Sequence, residues 1–192
     1  MRVHIPNIVS LLRVVIAPVF FCLLLSGGKA EIIAAMILYC IGAMTDFFDG
    51  FLARRMKVVS SLGTFLDPLA DKVLTSFAFI AFVAMGLANV WLVVIIIARD
   101  IFTTYMRIVA DKLRKPLVTS WTAKVKTFLQ MIYIFGVLAL ILIDALTDNS
   151  MQLVQTASDY AIIDVILLLL TGLTVYSTVE YIRGNRNIFC RK

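Results

Sequence analysis

"DFFDGFLARRMKVVSSLGTFLDPLAD", residues 46–71, holds four aspartates in a chain that is otherwise strongly apolar. Of the 192 residues 61% are hydrophobic, against about 45–50% in soluble domains. The excess comes in long blocks, such as "VWLVVIIIA" (90–98) and "AIIDVILLLLTGLTVY" (161–176), rather than in amphipathic stripes. A membrane-spanning helix needs roughly 20 mostly apolar residues. Stretches of that kind fall at about 8–26, 31–52, 63–87, 90–110, 124–146 and 160–182. The expected fold is therefore an all-α integral membrane protein, one domain over 1–192, with six transmembrane helices. The quoted aspartates straddle the end of the second span and the start of the third.

Working outward, "SGGKAE" (26–31) and "GLANVW" (86–91) are tight turns built on helix breakers. "DALTDNSMQLVQTASD" (144–159) reads as a longer polar loop. The first span does not read as a cleaved leader, because no small-residue cleavage pattern follows it and five more spans come after. Net charge is +6, and its placement is informative. Arg54, Arg55 and Lys57 lie in one connection, and Lys112, Arg114, Lys115, Lys124 and Lys126 lie in or beside another. Arg183, Arg186, Arg191 and Lys192 lie in the tail, whereas the alternate connections hold Lys29 as their one base. By the positive-inside rule both termini are cytoplasmic, which takes an even number of spans. Bases in such loops meet lipid headgroups and phosphates, so a nucleic-acid partner is excluded.

The cysteines, Cys22, Cys40 and Cys190, have no metal or disulfide spacing. His4 is the single histidine, which excludes histidine metal clusters and Ser/His triads. The aspartates are different. Asp46 and Asp49 are three apart and Asp67 and Asp71 four apart, so each pair shares a helix face. Antiparallel neighbours with a short connection bring the pairs together, giving a polar cavity at the cytoplasmic side. Four clustered carboxylates stay ionised only beside positive charge. One solution is structural, with the acids paired to Arg54, Arg55 or Lys72. The other is metal, and an all-oxygen donor set selects a hard divalent cation. Two carboxylates from each of two helices suit a two-metal site acting on phosphoryl groups. Intramembrane acids are functional by default, which favours the second solution. Gly50, Ala53 and Gly63 follow the aspartate faces and let a ligand approach closely. Arg54 continues the Asp46–Gly50 line as a natural phosphate partner.

The spacing D-x2-D-G-x2-A-R-x8-G-x3-D-x3-D, met by Asp46, Asp49, Gly50, Ala53, Arg54, Gly63, Asp67 and Asp71, resembles the motif of the CDP-alcohol phosphatidyltransferases. The resemblance implies that Asp46, Asp49 and Asp67 ligate two divalent cations, Mg²⁺ or Mn²⁺, with Asp71 reaching the second and taking the proton of the attacking alcohol. It implies that Asp49, Gly50, Arg54 and Ser60 hold the nucleotide and diphosphate of a CDP-activated lipid, that the alcohol attacks the lipid-bearing phosphate, and that CMP leaves. It also implies a homodimer in a bacterial cytoplasmic membrane, with the active site on the cytoplasmic side.

The opening "IPNIVSLLR" (5–13) is similar to the family's "PNxxTxxR", with Ser10 in place of Thr. Asn7 and Ser10 are either a helix start or contacts to the CDP-lipid. The stretch 98–130 holds Arg99, Asp100, Arg107, Ser120, Lys124, Lys126, Thr127 and Gln130. It resembles the phosphatidylglycerophosphate synthases, except that Ala123 stands where Gly is usual. The tail "STVEYIRGNRN" (177–187) resembles that subfamily too. The implied substrates are CDP-diacylglycerol and glycerol-3-phosphate, with Arg107, Lys124, Lys126 and Arg183 at the acceptor phosphate. A basic cluster beside a metal site attracts an acceptor carrying its own phosphate. Inositol phosphate fits this chemistry as well, whereas serine or a second phosphatidylglycerol uses it less. Asp100 reads as a local partner for these bases. The rival from another class is a transporter, but the aspartate motif occurs once and no internal repeat answers it.

Overall fold

The chain reverses where helix formation cannot continue. In the computed structural model the backbone is described for residues 5–56, 63–112, 121–147 and 151–185, and side chains for 11–45, 72–110, 121–147 and 151–185. Helix α1 (Ile5–Ser26) stops at Gly27, whose φ of 72° lies in the left-handed region that only glycine enters freely. Helix α2 (Lys29–Met56) starts directly after. Helix α3 (Gly63–Ala84) ends on Gly86, φ 73°. There the Leu87 N–H donates to the Phe82 carbonyl at 2.8 Å and the Gly86 N–H to Val83 at 3.0 Å, which satisfies the last carbonyls of the helix. Asn89 Oδ1 then accepts the Trp91 N–H at 2.9 Å and caps α4 (Val90–Lys112). Helices α5 (Trp121–Thr147), α6 (Gln152–Asp159) and α7 (Ile162–Gly184) follow. The described residues hold seven helices and no strand, in keeping with the expected fold class.

The polar loop expected at 144–159 contains α6. Asp144, near the end of α5, accepts the Leu153 N–H at 3.0 Å and the Val154 N–H at 2.9 Å. Those are orphan donors of the first helical turn, and a carboxylate there also meets the positive end of the helix dipole. At 8 residues, α6 is about 12 Å long and cannot cross a bilayer.

Three contacts fix the directions of the long helices. Lys29 Nζ donates to the Leu146 carbonyl at 3.4 Å, setting the start of α2 beside the end of α5. The Asn89 N–H donates to Asp164 Oδ1 at 3.0 Å, setting the starts of α4 and α7 together. Thr122 Oγ1 donates to Glu180 Oε2, setting the start of α5 beside the end of α7. For α2 and α3 the decisive feature is Gly42, where a Cβ would lie 2.7 Å from Leu74 Cδ2 and 3.7 Å from Ile16 Cγ2. Glycine therefore lets α2 close on α3 and α1. If α2 and α3 ran parallel from that contact, Met56 and Gly63 would lie about 37 Å apart along the axis, at 1.5 Å per residue. The connecting chain reaches only about 25 Å. The two helices are antiparallel, and the ends of α2, α4 and α7 gather with the starts of α1, α3 and α5.

The core is aromatic where α1, α2, α3 and α5 meet. Phe20 packs on Tyr39 with ring centres 5.2 Å apart, Tyr39 on Phe135 at 5.3 Å, and Phe79 stacks on Tyr133 at 5.8 Å. The outside is apolar too. Ile101, Phe128, Leu169 and Tyr176 are all exposed, a surface that soluble monomers rarely carry in continuous form. Helices α5 and α7 are long and apolar enough to cross a membrane. Helix α4 interrupts its apolar run with Arg99, Asp100 and Arg107.

The close approach at Gly42 sets an expectation. Gly42→Ala meets the flexible end of Leu74 and is tolerated, whereas Gly42→Ile overpacks the α1–α2–α3 junction by about 1–3 kcal/mol. Thermal unfolding in detergent checks this. An unchanged midpoint for Gly42→Ile contradicts the packing.

Candidate active site

The Gly42–Leu74 contact sets a register for the aspartates. One turn toward the shared end from Gly42 is Asp46, and one turn the same way from Leu74 is Asp71. Two turns along are Asp49 and Asp67, each seven residues from its reference. At 100° per residue all four positions lie within about 60° of the line on which α2 and α3 approach. The backbone thus brings the two pairs to matching levels on facing helices. Asp46, Asp49, Gly50, Ala53 and Arg54 occupy the last turns of α2, Gly63, Asp67 and Asp71 the first turns of α3, and Asn7 and Ser10 the first turns of α1. The side chains of these ten residues, and Ser60 entirely, lie outside the described residues. Among the described side chains no group of three or more His, Cys, Asp or Glu gathers as a metal site would.

Directly inward of the aspartate levels is a small cavity lined by Arg13, Tyr39, Gly42, Leu74, Thr75 and Met131. Arg13 is 2% exposed. The sequence signals Arg13 as the final position of "IPNIVSLLR", at the start of an apolar span, without giving it a role. Its burial against α2, α3 and α5 is a tertiary fact.

A second cluster joins α4, α5 and α7. Lys126 Nζ donates to Asp100 Oδ1 at 2.5 Å, with Lys126 1% and Asp100 3% exposed. Arg99 Nη1 donates to the same oxygen at 3.2 Å. Arg99 Nη2 donates to Ser177 Oγ at 2.8 Å and Nε to Thr178 Oγ1 at 3.0 Å. Both hydroxyls donate in turn to the Thr174 carbonyl. The polar surroundings that Arg99 requires are therefore hydroxyls of α7, which an apolar span gives little reason to single out. Asp100 pairs with its neighbour Arg99, as its sequence position suggests, and also across helices with Lys126.

Lys72, on α3, lies close enough to Asp100 and Lys126 to act electrostatically on both. It directly follows Asp71 in the chain, in the first turns of α3. The remaining candidate bases sit nearer the shared end and are exposed. Lys124 is about 3 Å beyond Lys126, Arg183 about 8 Å beyond Thr178, and Arg107 about 12 Å beyond Arg99 along their helices. The four sequence-derived acceptor residues thus divide into Lys126, buried and ion-paired, and three exposed groups above it. On the same faces, deeper in, Gln130 Oε1 and Thr174 Oγ1 are buried without a hydrogen-bond partner.

Comparison with known proteins gives the family. The family model for CDP-alcohol phosphatidyltransferase matches residues 3–176, and the chain belongs to that family of enzymes. It is 34% identical over 147 residues to the CDP-diacylglycerol–glycerol-3-phosphate 3-phosphatidyltransferase of Bacillus subtilis (strain 168), covering 70% of this chain and 76% of the relative. The Escherichia coli (strain K12) protein of the same name is 36% identical over 137 residues, covering 69% and 75%. A probable phosphatidylglycerophosphate synthase of Mycobacterium tuberculosis (strain H37Rv) is 36% identical over 134 residues, covering 68% and 64%.

The Arg99 fork also sets an expectation for stability. Arg99→Met loses three hydrogen bonds that tie α4 to α7 and to Asp100, and costs about 1–3 kcal/mol. Arg107→Met, at an exposed site, leaves thermal stability nearly unchanged. Equal midpoints for the two variants contradict the role of Arg99 as a tie between helices.

Proposed function

We propose that this enzyme transfers the phosphatidyl group from CDP-diacylglycerol to glycerol-3-phosphate, giving phosphatidylglycerophosphate and CMP. Family membership and the printed names of the Bacillus and Escherichia relatives support the reaction. The single observation that carries the site is the α2–α3 register, with aspartate positions at matching levels at the end of the bundle where the bases also lie.

The fit of a metal is tested by the donor set, four carboxylates with no histidine or cysteine among them, which is the chemistry of hard divalent ions. Asp46, Asp49, Asp67 and Asp71 hold two such cations, Mg²⁺ or Mn²⁺. Bound there, the cations supply charge neutralisation for the diphosphate. Asn7, Ser10, Asp49, Gly50, Ala53, Arg54, Ser60 and Gly63 seat the CDP-lipid. Gly50 and Gly63 permit close approach, and Arg54 brings a guanidinium to phosphate oxygens. Arg107, Lys124, Lys126 and Arg183 hold the acceptor phosphate and so aim its hydroxyl. Asp71 takes that hydroxyl's proton. The oxygen bonds to the lipid-bearing β-phosphorus, and the bond from that phosphorus to the bridging oxygen of CMP breaks. Six helices span the membrane, α6 lies outside them, and the termini and a polar cavity face the cytoplasm of a bacterial cell. Two chains pair as a homodimer.

The test is CMP release by purified protein given CDP-diacylglycerol, Mg²⁺ or Mn²⁺ and each acceptor in turn. Release with glycerol-3-phosphate is expected. Release only with inositol phosphate, serine or phosphatidylglycerol contradicts the acceptor. Asp71→Asn loses nearly all turnover and still binds CDP-diacylglycerol. Full activity in that variant removes Asp71 as the base.

A further inference from the structure

We propose that Asp100 is a positioning residue whose carboxylate, backed by Arg99, fixes Lys126 as the inner wall of the acceptor-phosphate subsite, so that it sets KM for the acceptor and leaves CDP-lipid binding alone. The inference rests on the reading that Lys126 serves the acceptor phosphate.

The geometry is a chain of fixation. Arg99 is gripped from α7 by Ser177 and Thr178 at 2.8 and 3.0 Å. So held, its Nη1 meets Asp100 Oδ1 at 3.2 Å, and the same oxygen takes Lys126 Nζ at 2.5 Å. Each link crosses to another helix or fixes the next, so the position of the lysine head is dictated by α4 and α7 as well as by its own α5. A lysine stem is flexible and its ammonium is a point charge without directional preference. Where that charge sits is decided by its counter-ion. Lys126 is 1% exposed, so solvent does not place it.

Charge points the same way. Asp100 offsets one of the two cations it touches, and the trio keeps a positive charge. A fully neutralised buried pair attracts no anion, and an unpaired pair of cations repels. An excess of one, with lysine protons to spare after the Asp100 bond, suits the oxygens of a phosphate monoester. Lys72, on α3, acts electrostatically on the cluster, and in the chain it follows Asp71, the group assigned to the acceptor hydroxyl. A buried ion pair adds little stability over an apolar pair of the same size. What this one supplies is placement.

The test compares Asp100→Asn, Asp100→Glu, Lys126→Met and the double variant Asp100→Asn/Lys126→Met by CMP release, with KM measured separately for glycerol-3-phosphate and CDP-diacylglycerol. Asp100→Asn is expected to raise the acceptor KM by at least tenfold and to hold the lipid KM within twofold. Asp100→Glu recovers part of the loss. The double variant matches Lys126→Met within twofold, because Asp100 acts through that lysine. The inference is overturned by equal rises in both KM values, by an unchanged acceptor KM in Asp100→Asn, or by effects that multiply in the double variant. Should Asp100→Asn not fold, the double variant, which removes both charges, still decides by that comparison with Lys126→Met. An unchanged acceptor KM in Lys126→Met overturns the reading of Lys126 itself. A wild-type enzyme that releases no CMP with glycerol-3-phosphate overturns the reaction, so the three failures are told apart.

Discussion

Carboxylates brought to one level of a helix bundle repel each other, and low-dielectric surroundings sharpen the repulsion. Such a group persists only if cations share its space. The shared end of this protein carries positions for four such carboxylates. Helices α2 and α3 are held in contact at Gly42, and the register from that point carries Asp46 and Asp71 to one level and Asp49 and Asp67 to the next. The same end of the bundle holds the exposed bases Arg107, Lys124 and Arg183, the buried Arg13, and the Arg99–Asp100–Lys126 network. Acidic and basic residues occur together on α2, α3 and α4. Lys72, on α3, acts electrostatically on Asp100 and Lys126 of that network.

Scaffold and site divide along the bundle. Toward the end where α1 meets α2 and α3 meets α4, packing is aromatic and aliphatic, and reversals are made by Gly27, Gly86 and the Asn89 cap. Asp144 closes the start of α6 there. Toward the other end the helices carry polar and charged residues, which the hydroxyls of Ser177 and Thr178 and the carboxylate of Asp100 anchor from within. A phosphoryl-transfer site needs this kind of rigidity, because holding reactants in geometry does much of the catalytic work.

Much of this was legible in the sequence. Long apolar blocks mark the six long helices, and the expected 90–110 and 31–52 lie within the observed Val90–Lys112 and Lys29–Met56. The aspartate spacing assumes helix, and positions 46, 49, 67 and 71 do fall within α2 and α3. What the sequence could not supply is action across helices. Helix α6 is short and polar, and its cap comes from Asp144, nine residues before the first N–H it accepts. Lys126 reads as one base among several in a basic stretch, and its burial against Asp100, 26 residues earlier, is not written there. Ser177 and Thr178 are small hydroxyls in an apolar span, and only the arrival of Arg99 gives them a role. The clue available was Arg99 itself, a guanidinium deep in an apolar run that must find acceptors on a neighbouring helix.

Mn²⁺ binding to the purified protein in detergent shows whether carboxylates from α2 and α3 converge on two divalent cations. Two Mn²⁺ per chain are expected, with affinity reduced at least tenfold at one or both sites by Asp46→Asn on α2 and equally by Asp67→Asn on α3. Binding that survives either substitution unchanged contradicts a site shared between the two helices.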